Sequence, residues 1–176
     1  DPITVKMYDE KTKISILKVD KDGKALSGAT LEIQDASKKP VEGLSWITDD
    51  KAYDITGKLT SGRKYYLVET QAPKGYVIAE PVEFTLNNKG EIVVDGKVVD
   101  SGQITMTDIH TNVVISKKAI TGEDSIGGAK LQIIDSEGKE VVKTWITEDK
   151  KDKVVTGVLS VGEKYTLKEV AQPEGY

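Results

Sequence analysis

Alternation of apolar and polar residues runs through most of this chain. At Tyr65, Leu67 and Glu69, and a hundred positions later at Tyr165, Leu167 and Glu169, a Tyr-x-Leu-x-Glu pattern breaks at Pro-x-Gly-Tyr. A period of two places alternate side chains on one face of a strand. If Tyr65 and Leu67 face a core, Glu69 is carried inward with them, and Glu169 stands in the same position of the second copy. A charged, unpaired carboxylate in such a place costs on the order of several kcal/mol, so it is expected to be protonated, paired or both.

The same period predicts the other strands. Ile14, Ile16 and Lys18 share one face of a strand at 14–18, and Val113, Ile115 and Lys117 share one at 113–117. A lysine at the end of an apolar face commonly snorkels its amine to water, which is the plain reading of Lys18. Val5, Met7 and Asp9 alternate as Ile104, Met106 and Asp108 do. An Asp-Gly turn precedes a strand at 29–34, residues 35–43 form a loop or short hairpin, and Gly57 and Gly62 mark turns. Strands at 82–86 and 91–94 flank a turn at 87–90, a second turn follows at 95–97, and the last strand begins at Ile104. Short strands with turns at every eight to twelve residues and no 3.6-residue period predict an all-β sandwich.

The second half restates the first. Gly28-Ala29 recurs as Gly128-Ala129, Leu31 and Ile33 as Leu131 and Ile133, and Trp46 as Trp145, and Gly57 and Gly157 restore the register. This is a tandem repeat of small domains. The expected division is a closing strand or linker at 1–12, a complete domain at 13–112 and a truncated one at 113–176. The second copy stops at Tyr176 without counterparts of residues 77–112, so it is expected to be incomplete, with unpaired strand edges.

Composition narrows the chemistry. The 176 residues are 38% hydrophobic and 31% charged, with a formal net charge of −4, and no basic cluster suits nucleic acid. There is no cysteine, hence no disulfide, thiolate nucleophile or Cys-based metal site, and His110 is the only histidine. A Ser-His-Asp triad or a metal centre therefore has little to work with, and no cofactor is expected. The apolar runs are too short for a membrane span and no signal peptide is present, so the chain reads as a piece of something longer. Trp46 and Trp145 are read as packing residues, and His110 as an exposed residue near the domain junction.

Lys18 after Ile-Ser-Ile-Leu, the turn at 20–29, the box at 65–76 and the closing Ile-Thr-Met-Thr-Asp-Ile together resemble the Cna B-type domains of Gram-positive surface adhesins and pilins. The resemblance covers 13–112 and, in the shorter copy, 113–176; order and spacing are close to the adhesin domain from which split peptide-tag and catcher reagents were made. It implies an Ig-like sandwich in which a Lys and a terminal-strand Asp join spontaneously as an isopeptide, assisted by the box Glu. Carried over, the trio is Lys18, Glu69 and Asp108. In the second copy Glu169 matches Glu69, and parity favours Lys117 over Lys118 as the amine, with the Asp partner expected beyond Tyr176.

The residue types suit that chemistry. An amine attacks only when neutral, a state that burial favours, and a carboxylic acid is a better electrophile than a carboxylate. A glutamic acid in the same dry site can relay protons. On neighbouring strands the Lys and Asp would have Cβ atoms roughly 5 Å apart. The competing reading is a buried charge cluster with no bond.

The expected function is that of a rigid, cross-linked stalk or spacer in a bacterial cell-surface adhesin or pilus-like protein, extracellular and cell-wall attached. The alternative is a module that binds a host protein such as a matrix glycoprotein. A glycosidase would need paired carboxylates in an open cleft, and none stands out; single-turnover self-ligation is not enzyme activity. Expected partners are neighbouring repeats of the same surface protein, and strand exchange with another copy would set Asp9 beside Lys117 and Glu169.

Overall fold

The computed structural model describes residues 3–7, 11 and 13–176. The chain is all-β, as the alternation predicts, and its contacts divide it into two units. Unit 1 comprises residues 1–72 and 78–108, and unit 2 comprises 73–77 and 109–176. Asp9 lies outside the described residues. Ile3, Val5 and Met7 are exposed and outside any strand.

Among its described residues unit 1 holds β1 (Ser15–Asp20), β2 (Thr30–Asp35), β3 (Pro40–Ile47), β4 (Tyr53–Asp54), β5 (Arg63–Gln71), β6 (Val82–Leu86), β7 (Ile92–Val94), β8 (Lys97–Val98) and β9 (Gln103–Asp108). One sheet has the order β4-β1-β9 and the other β3-β2-β5-β6-β7-β8. Ile14, Ile16, Ile104 and Met106 from the first sheet's strands and their entry meet Leu31, Ile33, Tyr65, Leu67, Phe84 and Leu86 of the second in one buried cluster. Each contributes every second residue of its strand, so the sandwich follows from the period of two. The segment after β2 is a tight hairpin, within the range the sequence left open.

The first and last strands of unit 1 lie side by side and run parallel, with Ile16 paired to Ile104 and Lys18 to Met106. A parallel pair cannot be joined by a tight turn, so everything from β2 to β8 serves as the crossover between them. Trp46 stacks on Tyr53 at 4.4 Å between ring centroids and packs against the core.

Unit 2 holds β10 (Asn112–Ile115), β11 (Lys130–Asp135), β12 (Glu140–Ile146), β13 (Lys153–Thr156) and β14 (Tyr165–Ala171). Their order is β10-β13 in one sheet and β12-β11-β14 in the other, mirroring β1-β4 and β3-β2-β5. Among the described residues β14 is the edge of its sheet, whereas β5 has β6 beside it. The difference reaches the core face: Leu67 is fully buried, and its repeat Leu167 is 50% exposed.

Leu67→Ala is therefore expected to destabilise unit 1 by about 2–5 kcal/mol, and Leu167→Ala to cost unit 2 no more than about 0.5 kcal/mol. Hydrogen exchange of each unit's core amides reads the two values separately; equal losses would mean that Leu167 is packed as Leu67 is.

Candidate functional site

The inward faces of three strands deliver three ionisable groups to one point in unit 1. Lys18 follows Ile14 and Ile16 on the core side of β1, and its side chain is completely buried. Its exposed-amine reading is thereby overturned: the stem ends inside the sandwich, with no route for the amine to reach water. Glu69 follows Tyr65 and Leu67 on β5 and is equally buried. Asp108 ends the buried series Ile104, Met106, Asp108 on β9.

A β-bulge helps to aim Glu69. In the β2–β5 ladder Thr30 pairs with Gln71 but Leu31 pairs with Glu69, so β5 carries one extra residue at Thr70. Such bulges bend a strand locally and redirect its side chains. The second copy has the same shift, with Lys130 opposite Ala171 and Leu131 opposite Glu169.

The Lys18 Nζ touches Asp108 Oδ1 at hydrogen-bonding contact and lies 3.2 Å from Glu69 Oε1. Lys18 and Asp108 are not directly opposite one another, as the expected 5 Å spacing of Cβ atoms would require. Met106 is opposite Lys18, and Asp108 is opposite Asp20, so the two meet on a diagonal. The long lysine stem covers the extra distance that a shorter side chain would not.

Glu69 Oε2 accepts a hydrogen bond of 2.7 Å from the backbone N–H of Ala79. Sequence reasoning missed this donor, because a backbone amide leaves no residue-type signal. Among the described residues the buried Asp108 Oδ2 has no hydrogen-bond partner, and Glu69 Oε1 has only the Lys18 ammonium beside it. Two carboxyl groups thus face one amine in a dry site, and full ionisation would leave a net negative charge there. Burial pushes the Glu69 carboxyl above its ordinary value of 4.5, and the neighbouring Asp108 charge acts in the same direction. The Ala79 N–H and the Lys18 ammonium oppose that rise.

In unit 2 Lys117 Nζ lies 3.4 Å from Glu169 Oε1, both side chains about 30% exposed. Lys118 turns instead to Glu123, at 3.8 Å. Among the described residues no aspartate takes the place beside Lys117 that Asp108 takes beside Lys18. His110 is not the exposed residue its sequence position suggested. It is half-buried, with Tyr76 stacked on its ring at a centroid distance of 4.3 Å, a partner 34 residues away that local pattern could not disclose. Trp145 lies beneath the Lys153 ammonium, 5.9 Å from its ring centroid. Among the described residues no group of three or more His, Cys, Asp or Glu is placed to hold a metal ion.

The family model described as SpaA, prealbumin-like fold domain, matches residues 12–99 and again 111–176. No match is found among curated proteins. Among solved structures, the Bacillus anthracis TIE protein is 28% identical with a TM-score of 0.47, over 93% of this chain and 29% of that one. The shaft pilin SpaA from Lactobacillus rhamnosus GG is 15% identical with a TM-score of 0.45, over 95% of this chain and 90% of that one. A pilus-presented adhesin, Cpa, is 29% identical with a TM-score of 0.41, over 52% of this chain and 21% of that one. The chain therefore spans less than a third of the TIE protein's length.

The Glu69 shift has a definite sign. Its folded form holds the proton more tightly than the unfolded chain does, so its contribution to stability is full below pH 4.5 and is lost as pH rises through the higher folded value. In an Asp108→Ala chain, carboxyl-carbon NMR is expected to show Glu69 still titrating above 4.5, because burial is the leading cause. A value at or below 4.5 would mean that the lysine, not burial, governs the site.

Proposed function

Because the chain belongs to the SpaA family of prealbumin-like fold domains, we propose that it is a stalk or spacer segment of a bacterial cell-surface adhesin or pilus-like protein, with unit 1 locked by an isopeptide bond between Lys18 and Asp108. One observation carries this reading: the amine and carboxyl of the first and last strands touch inside the core, with the buried Glu69 carboxyl beside them. A buried charge cluster of this kind is a costly way to stabilise a sandwich, since apolar residues of similar size commonly do as well or better. A reaction that removes the charges explains why the three groups are there.

The step balances as a condensation. The neutral Lys18 amine adds through Nζ to Asp108 Cγ, and the new N–C bond forms as one carboxyl C–O bond breaks. One hydrogen of the amine and the carboxyl OH leave together as water. Glu69 takes the proton from nitrogen and supplies one to the carboxyl oxygen, ending in the state in which it began. A protonated Glu69 can polarise the Asp108 carbonyl, and its raised pKa keeps that proton available over a wider pH range than an exposed glutamate would.

Bond formation also removes one of the two buried Asp108 oxygens, since only one carboxyl oxygen remains in the amide. Holding the reactants in contact makes the step unimolecular, which can lower its barrier by about 7–11 kcal/mol. The bond closes a loop of 90 residues, and by analogy with a disulfide of that span it restricts the unfolded chain by ~4–5 kcal/mol. Such a bond ties the two strands into a spacer that cannot unzip from its ends.

Lys117 and Glu169 are the corresponding pair of unit 2, awaiting an Asp-bearing strand. The neighbouring repeats of the same surface protein are the proposed partners, and the proposed location is extracellular and cell-wall attached. Among the described residues no helix is long and apolar enough to cross a membrane.

Intact-mass spectrometry of the purified chain tests the proposal. The expected mass is one water below that of the sequence, not two, because unit 2 has no aspartate at its lysine. Lys18→Ala and Asp108→Ala should each restore the full mass, and Glu69→Gln should leave most of the protein unligated. An unmodified wild-type mass overturns the bond, and normal ligation in Glu69→Gln removes Glu69 from the mechanism.

A further inference from the structure

The chain contains two Pro-x-Gly-Tyr turns and two loops of one kind, and among the described residues only one turn sits on a loop. Both turns close with the same hydrogen bond, Tyr76 N–H to Pro73 O at 3.1 Å and Tyr176 N–H to Pro173 O at 3.3 Å. Their glycines share one left-handed conformation, with φ of 84° at Gly75 and 86° at Gly175. The loops match as well. Gly57 and Gly157 have φ of 73° and 69°. The Tyr65 hydroxyl accepts from Thr60 N–H at 3.0 Å, and the Tyr165 hydroxyl accepts from Ser160 N–H at 3.0 Å.

Within unit 2 the turn at 73–77 is seated on the loop at 157–160. Gly75 N–H donates to Ser160 Oγ at 3.3 Å, Thr111 N–H donates to Gly75 O at 2.9 Å, and Thr111 Oγ1 donates to Leu159 O at 2.6 Å. Backbone meets backbone so closely that a Cβ on Gly75 would stand 2.3 Å from the Gly157 carbonyl oxygen. Any residue but glycine would push the turn off the loop. The Tyr76 ring covers His110, completing the seat.

Among the described residues no turn covers the other loop, and no loop seats the other turn. Gly75 is buried and Tyr76 half-buried, whereas Gly175 is exposed and Tyr176 is 66% exposed. Residues 157–160 are half-buried, whereas Gly57, Lys58 and Thr60 are exposed. Nothing lies within 4 Å of a Cβ built on Gly175. At Gly57 the near neighbour is the Lys11 side chain, which occupies the place that His110 takes at Gly157. In the repeat alignment Lys11-Thr12 stands where His110-Thr111 stands. A lysine in that place can lie against an incoming tyrosine face as histidine does, through a cation–π contact.

We infer that the loop at 57–60 of unit 1 is a docking site for a Pro-x-Gly-Tyr turn, and that in solution a second copy of this chain supplies it with its turn at 173–176. The turn and the loop are different surfaces, so the contact is heterologous and propagates head to tail. The seat is small, a few backbone hydrogen bonds and one ring. It suits a contact made between linked repeats, where the effective concentration is on the order of millimolar.

The test uses an isotope-labelled Tyr176→Ala chain, whose loop is intact and whose turn lacks its ring. Unlabelled wild-type chain, added to about millimolar concentration, is expected to shift the amide signals of Gly57, Lys58 and Thr60 in a saturable way. Unlabelled Tyr176→Ala chain at the same concentration is expected to produce less than a third of that shift. No change at those amides, or equal changes from the two additions, would overturn the inference. Tyr176 is exposed, so its replacement leaves the fold that both arms depend on unchanged.

Discussion

An amine held between two carboxyl groups, out of reach of water, is the constraint on which unit 1 depends. Lys18, Glu69 and Asp108 each extend an otherwise apolar strand face, so every one of them is carried into the core by the same alternation that makes the sandwich. Removing Lys18 would leave two buried carboxyl groups with no cation beside them, a situation proteins tolerate poorly. The proposed bond would relieve that tension by converting an ion pair into an amide, a neutral group with a smaller desolvation cost.

The fold sets the proposed bond between the first and last strands of unit 1. β1 and β9 are the first and last strands, and they lie side by side in parallel with Lys18 reaching diagonally to Asp108. A covalent tie at that point leaves the intervening strands inside a closed loop. The bulge beside Glu69 and the Ala79 N–H hold the Glu69 carboxyl in place beside that pair.

Much of this was legible in the sequence, and the limits are physical. Parity along Ile14, Ile16, Lys18 and along Tyr65, Leu67, Glu69 sends both ionisable groups inward, because a strand has only two faces. The same parity cannot show whether an aspartate on another strand lies opposite or one step along, and here the diagonal prevails. Two-residue strands such as β4 and β8 are too short to display any period. His110 looked exposed because its cover, Tyr76, comes from a distant turn. Equal patterns also gave unequal burial: Leu67 and Leu167 occupy the same place in the repeat, but only the strand beside β5 covers the former. Pattern identifies a face, and neighbours decide whether it is buried.

The most direct test of the central claim is NMR of protein labelled with nitrogen-15 in lysine and carbon-13 in aspartate. A Lys18 Nζ joined to Asp108 gives a single-hydrogen amide signal with a one-bond coupling to the Asp108 Cγ. The account predicts that coupled signal in the folded chain and its persistence in denaturant. A three-hydrogen ammonium signal at Lys18, with no coupling to Asp108 in the folded chain, would contradict it.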